Sequence, residues 1–78
     1  MDMQEKITSM ESPVYGGLTV NIEGIGEKTV SNIQGISVIT IVNLVGAALT
    51  GESFSASPKE WDPGFDSASK TVFLRRHK

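Results

Sequence analysis

The chain has 78 residues, of which 38% are apolar and 21% charged, and seven basic against nine acidic side chains leave a net charge of −2. That length allows one domain, and a domain near this size buries only about 60% of its unfolded surface, so it depends on outside help for stability. With no cysteine and a single histidine, disulfides, thiolate metal sites and paired-histidine zinc sites are excluded. Oligomerisation is the support that remains. The acidic balance argues against nucleic acid as a partner held by overall charge.

Residues 1–13 are polar and close on Pro13, which predicts a flexible N-terminal arm ahead of one small domain at 14–78. The start Met1-Asp2-Met3-Gln4-Glu5-Lys6 has no basic stretch leading into an apolar core, so no signal peptide is expected. The expected location is the cytoplasm or a larger assembly. The most apolar run, Ile36 to Leu49, is interrupted by Ser37, Thr40, Asn43 and Gly46 and is too short to cross a bilayer as a helix. No membrane partner is expected.

Leu18-Thr19-Val20-Asn21-Ile22-Glu23 alternates apolar and polar residues, the pattern of a half-buried strand. Gly24-Ile25-Gly26 breaks it, and Lys28 to Gln34 can return as a second strand with Val30 inward. Ile36 to Val45 is dominated by β-branched residues, which favour a pleated sheet over a helix. Its apolar residues fall on both faces, which predicts a central strand ended by Gly46. The rival reading is a helix near 37–49, with Gly51 as its C-cap. Residues 50–70 hold five of the nine serines and two of the three prolines and predict a long loop, and Thr71 to Arg75 closes the chain as a strand. The expected fold is therefore mainly β, a small antiparallel sheet or barrel of about four to five strands. The alternative is α+β with the helix near 37–49. A two-sided apolar strand in so small a sheet needs a second cover, which predicts a homo-oligomer.

Asn21 to Ile33, with Gly24-Ile25-Gly26 and Lys28 at its centre, resembles the hairpin and second helix of helix-hairpin-helix DNA-binding motifs. The resemblance implies backbone amides turned to a phosphate, with Gly24, Gly26 and Lys28 as candidate contacts. Glycine-rich turns between apolar runs also close β-hairpins. The pieces 21–33 and 32–44 share N-I-x-G-I at an 11-residue offset, which suggests a repeat. Leu44, Leu49 and Phe54, five apart, resemble a pentapeptide-repeat solenoid. Gly16-Gly17 after a polar stretch resembles the double-glycine end of secreted-peptide leaders.

Asp62-Pro63-Gly64 predicts a type II turn that would hold Trp61 and Phe65 together. With Phe54 they are the candidate partner-binding aromatics, either an anchor for another protein or a cluster folded onto this chain's own core. Asp62 and Asp66 are a weak metal pair, and no metal or cofactor is expected. Arg75-Arg76-His77-Lys78 is a basic tail with Arg75 and Arg76 as further candidate phosphate contacts. The expectation is a non-enzymatic protein-interaction or assembly module, an adaptor or accessory component of phage type, that self-associates. The alternative is a small nucleic-acid-binding module using the Gly24–Lys28 turn.

Overall fold

A computed structural model describes residues 10–57 and 59–76. Two β-hairpins flank one helix: β1 Pro13–Ile22, β2 Gly26–Ser37, α1 Val38–Thr50, β3 Trp61–Asp66 and β4 Thr71–Arg76. The protein is mainly β. Its four strands form an open sheet in the order β2-β1-β4-β3, so the strands nearest the two chain ends meet in the middle. β1 and β4 run parallel, while each hairpin is antiparallel. The sheet is thus mixed and open, where the sequence predicts an antiparallel sheet or a barrel.

The alternation in β1 does what the sequence predicts: Leu18, Val20 and Ile22 are buried in one core with Val72 and Leu74 of β4 and the inner residues of α1. Gly24 at φ 80° sits at the third position of the β1–β2 turn, where Ile25 N–H donates to Ile22 O at 2.9 Å. A positive φ there is what glycine supplies without steric cost. β2 is bulged against β1 between Val14/Tyr15 and between Gly16/Leu18, with Asn32 at φ 59° and Gly35 at φ 70°.

Residues 38–50 are a helix, not the predicted central strand. The buried residues Val38, Ile41, Val42, Val45 and Gly46 follow the i, i+3, i+4, i+7, i+8 spacing of a helix facing a core. β-branched residues cost a helix only about 0.7 kcal/mol each at most, whereas burying each such side chain returns about 1.5–3 kcal/mol. Burial wins. The first amides of α1 are satisfied by the segment before β1, with Val38 N–H donating to Ser12 O and Ile39 N–H to Met10 O. Met10 also packs on the core, so the end of the predicted arm is part of the fold; its residues 1–9 lie outside the described residues. Gly51 caps the C-terminus at φ 77°, its N–H donating to Ala47 O.

The predicted 50–70 loop is shorter than expected. Residues 51–60 connect α1 to β3, and Asp62-Pro63-Gly64 lies inside β3 as extended backbone paired with Arg75, Leu74 and Phe73. The turn predicted there is absent because proline is tolerated on an edge strand, where its missing N–H breaks no ladder bond on the open side. Asn43 Oδ1 accepts from Ala56 N–H at 2.9 Å, tying the connection back to the helix. The 21–33 and 32–44 pieces fall on a β-hairpin and a strand–helix junction, so they are no structural repeat. Leu44 and Leu49 lie on α1, so they form no solenoid coil with Phe54. Gly16 and Gly17 lie within β1.

Candidate functional site

Trp61 is 4% exposed. Its ring meets Phe54 at 5.9 Å between centroids, and the Arg76 guanidinium lies 4.7 Å from it. Of the three aromatics predicted to bind a partner, Trp61 is buried in this chain's own core, and Phe54 and Phe65 are partly buried against the same core. Phe54 also lies on Gly46, where a Cβ would collide with its ring.

Gly24, Gly26 and Lys28 sit at the β1–β2 hairpin end, which the parallel β1–β4 register brings beside Arg75 and Arg76. The candidate phosphate contacts are therefore gathered at one end of the sheet, but on a β-turn. The helix N-terminus that the helix-hairpin-helix resemblance requires is missing there. Glu23 occupies the same end, its Oε1 accepting from Arg76 N–H at 2.9 Å. Glu27 lies one residue from Lys28, and Asp62 stands directly opposite Arg75. Carboxylates and cations are thus mixed at this end, with Glu27 and Lys28 on opposite faces of β2. The Arg76 side chain is committed to Trp61.

Asp62 and Asp66 point to the same side of β3 but lie four residues apart, about 13 Å along a strand, too far to share one ion. Asp66 instead closes the β3–β4 turn, accepting from Ala68 N–H at 3.1 Å and Ser69 Oγ–H at 3.0 Å. Among the described residues no group of three or more His, Asp or Glu side chains could hold a metal. None of the described helices is long and apolar enough to cross a membrane.

The sheet face away from α1 carries Thr19, Asn21, Thr29, Phe73 and Arg75, with a shallow depression of about 720 Å³ around Gly64 and Phe73. Its lining pairs opposite charges, as a solvated face does. Two apolar openings lie elsewhere, one of about 290 Å³ bounded by Met10, Ile39, Ala56, Trp61, Pro63 and Leu74, the other beside β2. Between β2 and α1 runs a groove of about 260 Å³ lined by Lys28, Val30, Ile33, Ile36, Ile41, Leu44, Val45 and Ala48. Leu44 is 61% exposed and Ile36 39%, which is unusual for aliphatic side chains on neighbouring elements.

This groove adjoins the outer edge of β2, where no strand pairs among the described residues. Thr19 N–H and Glu23 N–H donate to Lys70 O and Leu74 O on the β4 side. Backbone groups of a strand alternate in direction, so Thr19 and Asn21 turn theirs away from β2. Their β2 partners are Thr29 and Glu27, which must therefore turn their own N–H and C=O outward from the sheet. Sequence reasoning missed Leu44, Ile36 and this edge, because it placed Leu44 in a strand. The helical spacing of Ile41, Val45 and Ala48 around Leu44 was the signal that could have found them. Comparison with protein-family models, with curated proteins and with solved structures finds no match to this chain.

Proposed function

We propose that this protein is a non-enzymatic interaction module that self-associates, as an adaptor or accessory component of a larger assembly, and that the β2–α1 groove is the surface it uses. One observation carries this reading: an apolar groove with Leu44 and Ile36 exposed along it adjoins a strand edge with outward backbone donors and acceptors. Edges are commonly blunted by charge, proline or bulges, and both edges carry such devices: Asp62, Pro63 and Asp66 on β3, Glu27, Lys28 and two register shifts on β2. What favours the β2 edge is the apolar groove beside it. The self-association expected from a two-sided apolar strand thus finds different support, since those residues form a helix whose outer face is left apolar at Leu44.

Light scattering at tens of micromolar tests the reading. The native chain should exceed its 8.4 kDa monomer mass, and Leu44→Glu should return it to that mass with its circular dichroism unchanged. A native chain that stays at monomer mass at that concentration overturns the proposal.

A further inference from the structure

We infer that the partner at this groove is a second copy of the chain, joined by antiparallel pairing of β2 with β2 about a two-fold axis at Thr29, so that the two sheets become one of eight strands. The inference rests on the self-association reading and specifies its geometry.

Two identical edges can pair antiparallel about a two-fold axis perpendicular to the sheet, and such an axis passes midway between one residue and its own copy, which then face each other. The straight part of β2 is short. It begins at Gly26, and its regular pairing with β1 ends at Val30, ahead of Asn32, whose φ of 59° takes the chain out of extended conformation. Within it the residue on the axis decides which side chains meet. An axis at Glu27 sets Glu27 against Glu27, and one at Lys28 sets Lys28 against Lys28. Like charges directly opposed destabilise a strand pair. An axis at Val30 sets Lys28 against Asn32, in the bulge, where the ladder cannot continue.

The axis at Thr29 opposes Thr29 to Thr29, Lys28 to Val30 and Glu27 to Ser31. No like charges meet, and only the last residue of the paired stretch 27–31, Ser31, enters the register shift, with Asn32 left outside it. Thr29 and Glu27 are also the residues whose N–H and C=O face outward, so Thr29 and its copy can exchange both backbone hydrogen bonds. A perpendicular axis keeps both helices on the same side of the joined sheet. Each groove, with its Leu44 and Val30, then faces the other across the seam. The same symmetry that satisfies the edge brings these two aliphatic residues against the copy, while Ile36 lies beyond the paired stretch.

The chain contains no cysteine, so single-cysteine variants report the register directly. Glu27, Thr29 and Ser31 are all exposed. Opposed residues in an antiparallel pair lie about 4.5–5.5 Å apart, within disulfide reach, whereas Cα atoms beyond about 7 Å cannot be bridged. Under mild oxidation Thr29→Cys should form a disulfide-linked dimer at least tenfold faster than Glu27→Cys or Ser31→Cys alone. An equimolar mixture of Glu27→Cys and Ser31→Cys should cross-link as fast as Thr29→Cys, which supplies a second reading if the Thr29 variant fails to fold. Cross-linking of Glu27→Cys or Ser31→Cys alone at the rate of Thr29→Cys, or a mixture no faster than its components, overturns the Thr29 register while leaving self-association standing. Monomer mass for the native chain in the light-scattering experiment removes both.

Discussion

Replacing Trp61 by alanine separates a core residue from a partner anchor. Trp61 is buried to 4% exposure, in ring contact with Phe54 at 5.9 Å, with the Arg76 guanidinium 4.7 Å from its ring. A side chain of this kind buries about 200 Å², worth about 5 kcal/mol at 25 cal/mol per Å² as an upper figure. Deletions of buried aromatics cost about 3–5 kcal/mol. A domain of this length has about 4–12 kcal/mol of stability in all, so Trp61→Ala should remove a quarter of it or more. With a urea slope of about 1 kcal/mol per M for so small a protein, the unfolding midpoint should fall by roughly 3 M. Circular dichroism against urea reads this without the lost fluorophore. The outcome that refutes the reasoning is a midpoint within about 0.5 M of the native value together with a loss of self-association. Trp61 would then be an anchor for another chain.

Gly46→Ala sets two effects against each other. Alanine improves helix propensity by about 1 kcal/mol, but its Cβ meets the Phe54 ring, and overpacking costs about 1–3 kcal/mol; thermal unfolding should show a net loss in the native background and a net gain beside Phe54→Ala. A gain in both backgrounds would mean that Phe54 yields freely and does not fix the connection. Fluorescence anisotropy with duplex DNA at physiological salt should show no measurable affinity, because the chain carries a net charge of −2 and the hairpin end mixes acidic with basic side chains and presents no helix N-terminus. A salt-sensitive micromolar affinity that Lys28→Glu abolishes would restore the phosphate-binding reading of Gly24 and Gly26.

Much of the sheet could be read locally. Leu18, Val20 and Ile22 alternate with polar residues, and a strand's period of two turns that order directly into an inner and an outer face. Gly24 and Gly51 marked a turn and a helix end because positive φ is a property of the residue itself. The helix was legible in spacing and hidden in composition, since Val38, Ile41, Val42 and Val45 carry a period of about 3.6 through residues that individually prefer strands. What settled it was tertiary: a sheet with Leu18, Val20, Val72 and Leu74 on one face needs a cover, and residues 38–50 are the segment that can supply one. The candidate site divides the same way. That Trp61 and Phe65 would be sheltered follows from their size, but which surface shelters them depends on Asp62-Pro63-Gly64 running straight in β3, a pairing with residues 73–75 that no local signal encodes. The open edge of β2 and the exposure of Leu44 were decided last, by the strand order β2-β1-β4-β3. Order is set by long-range pairing between the two ends of the chain, and only that pairing determines which strand is left at the rim beside the helix.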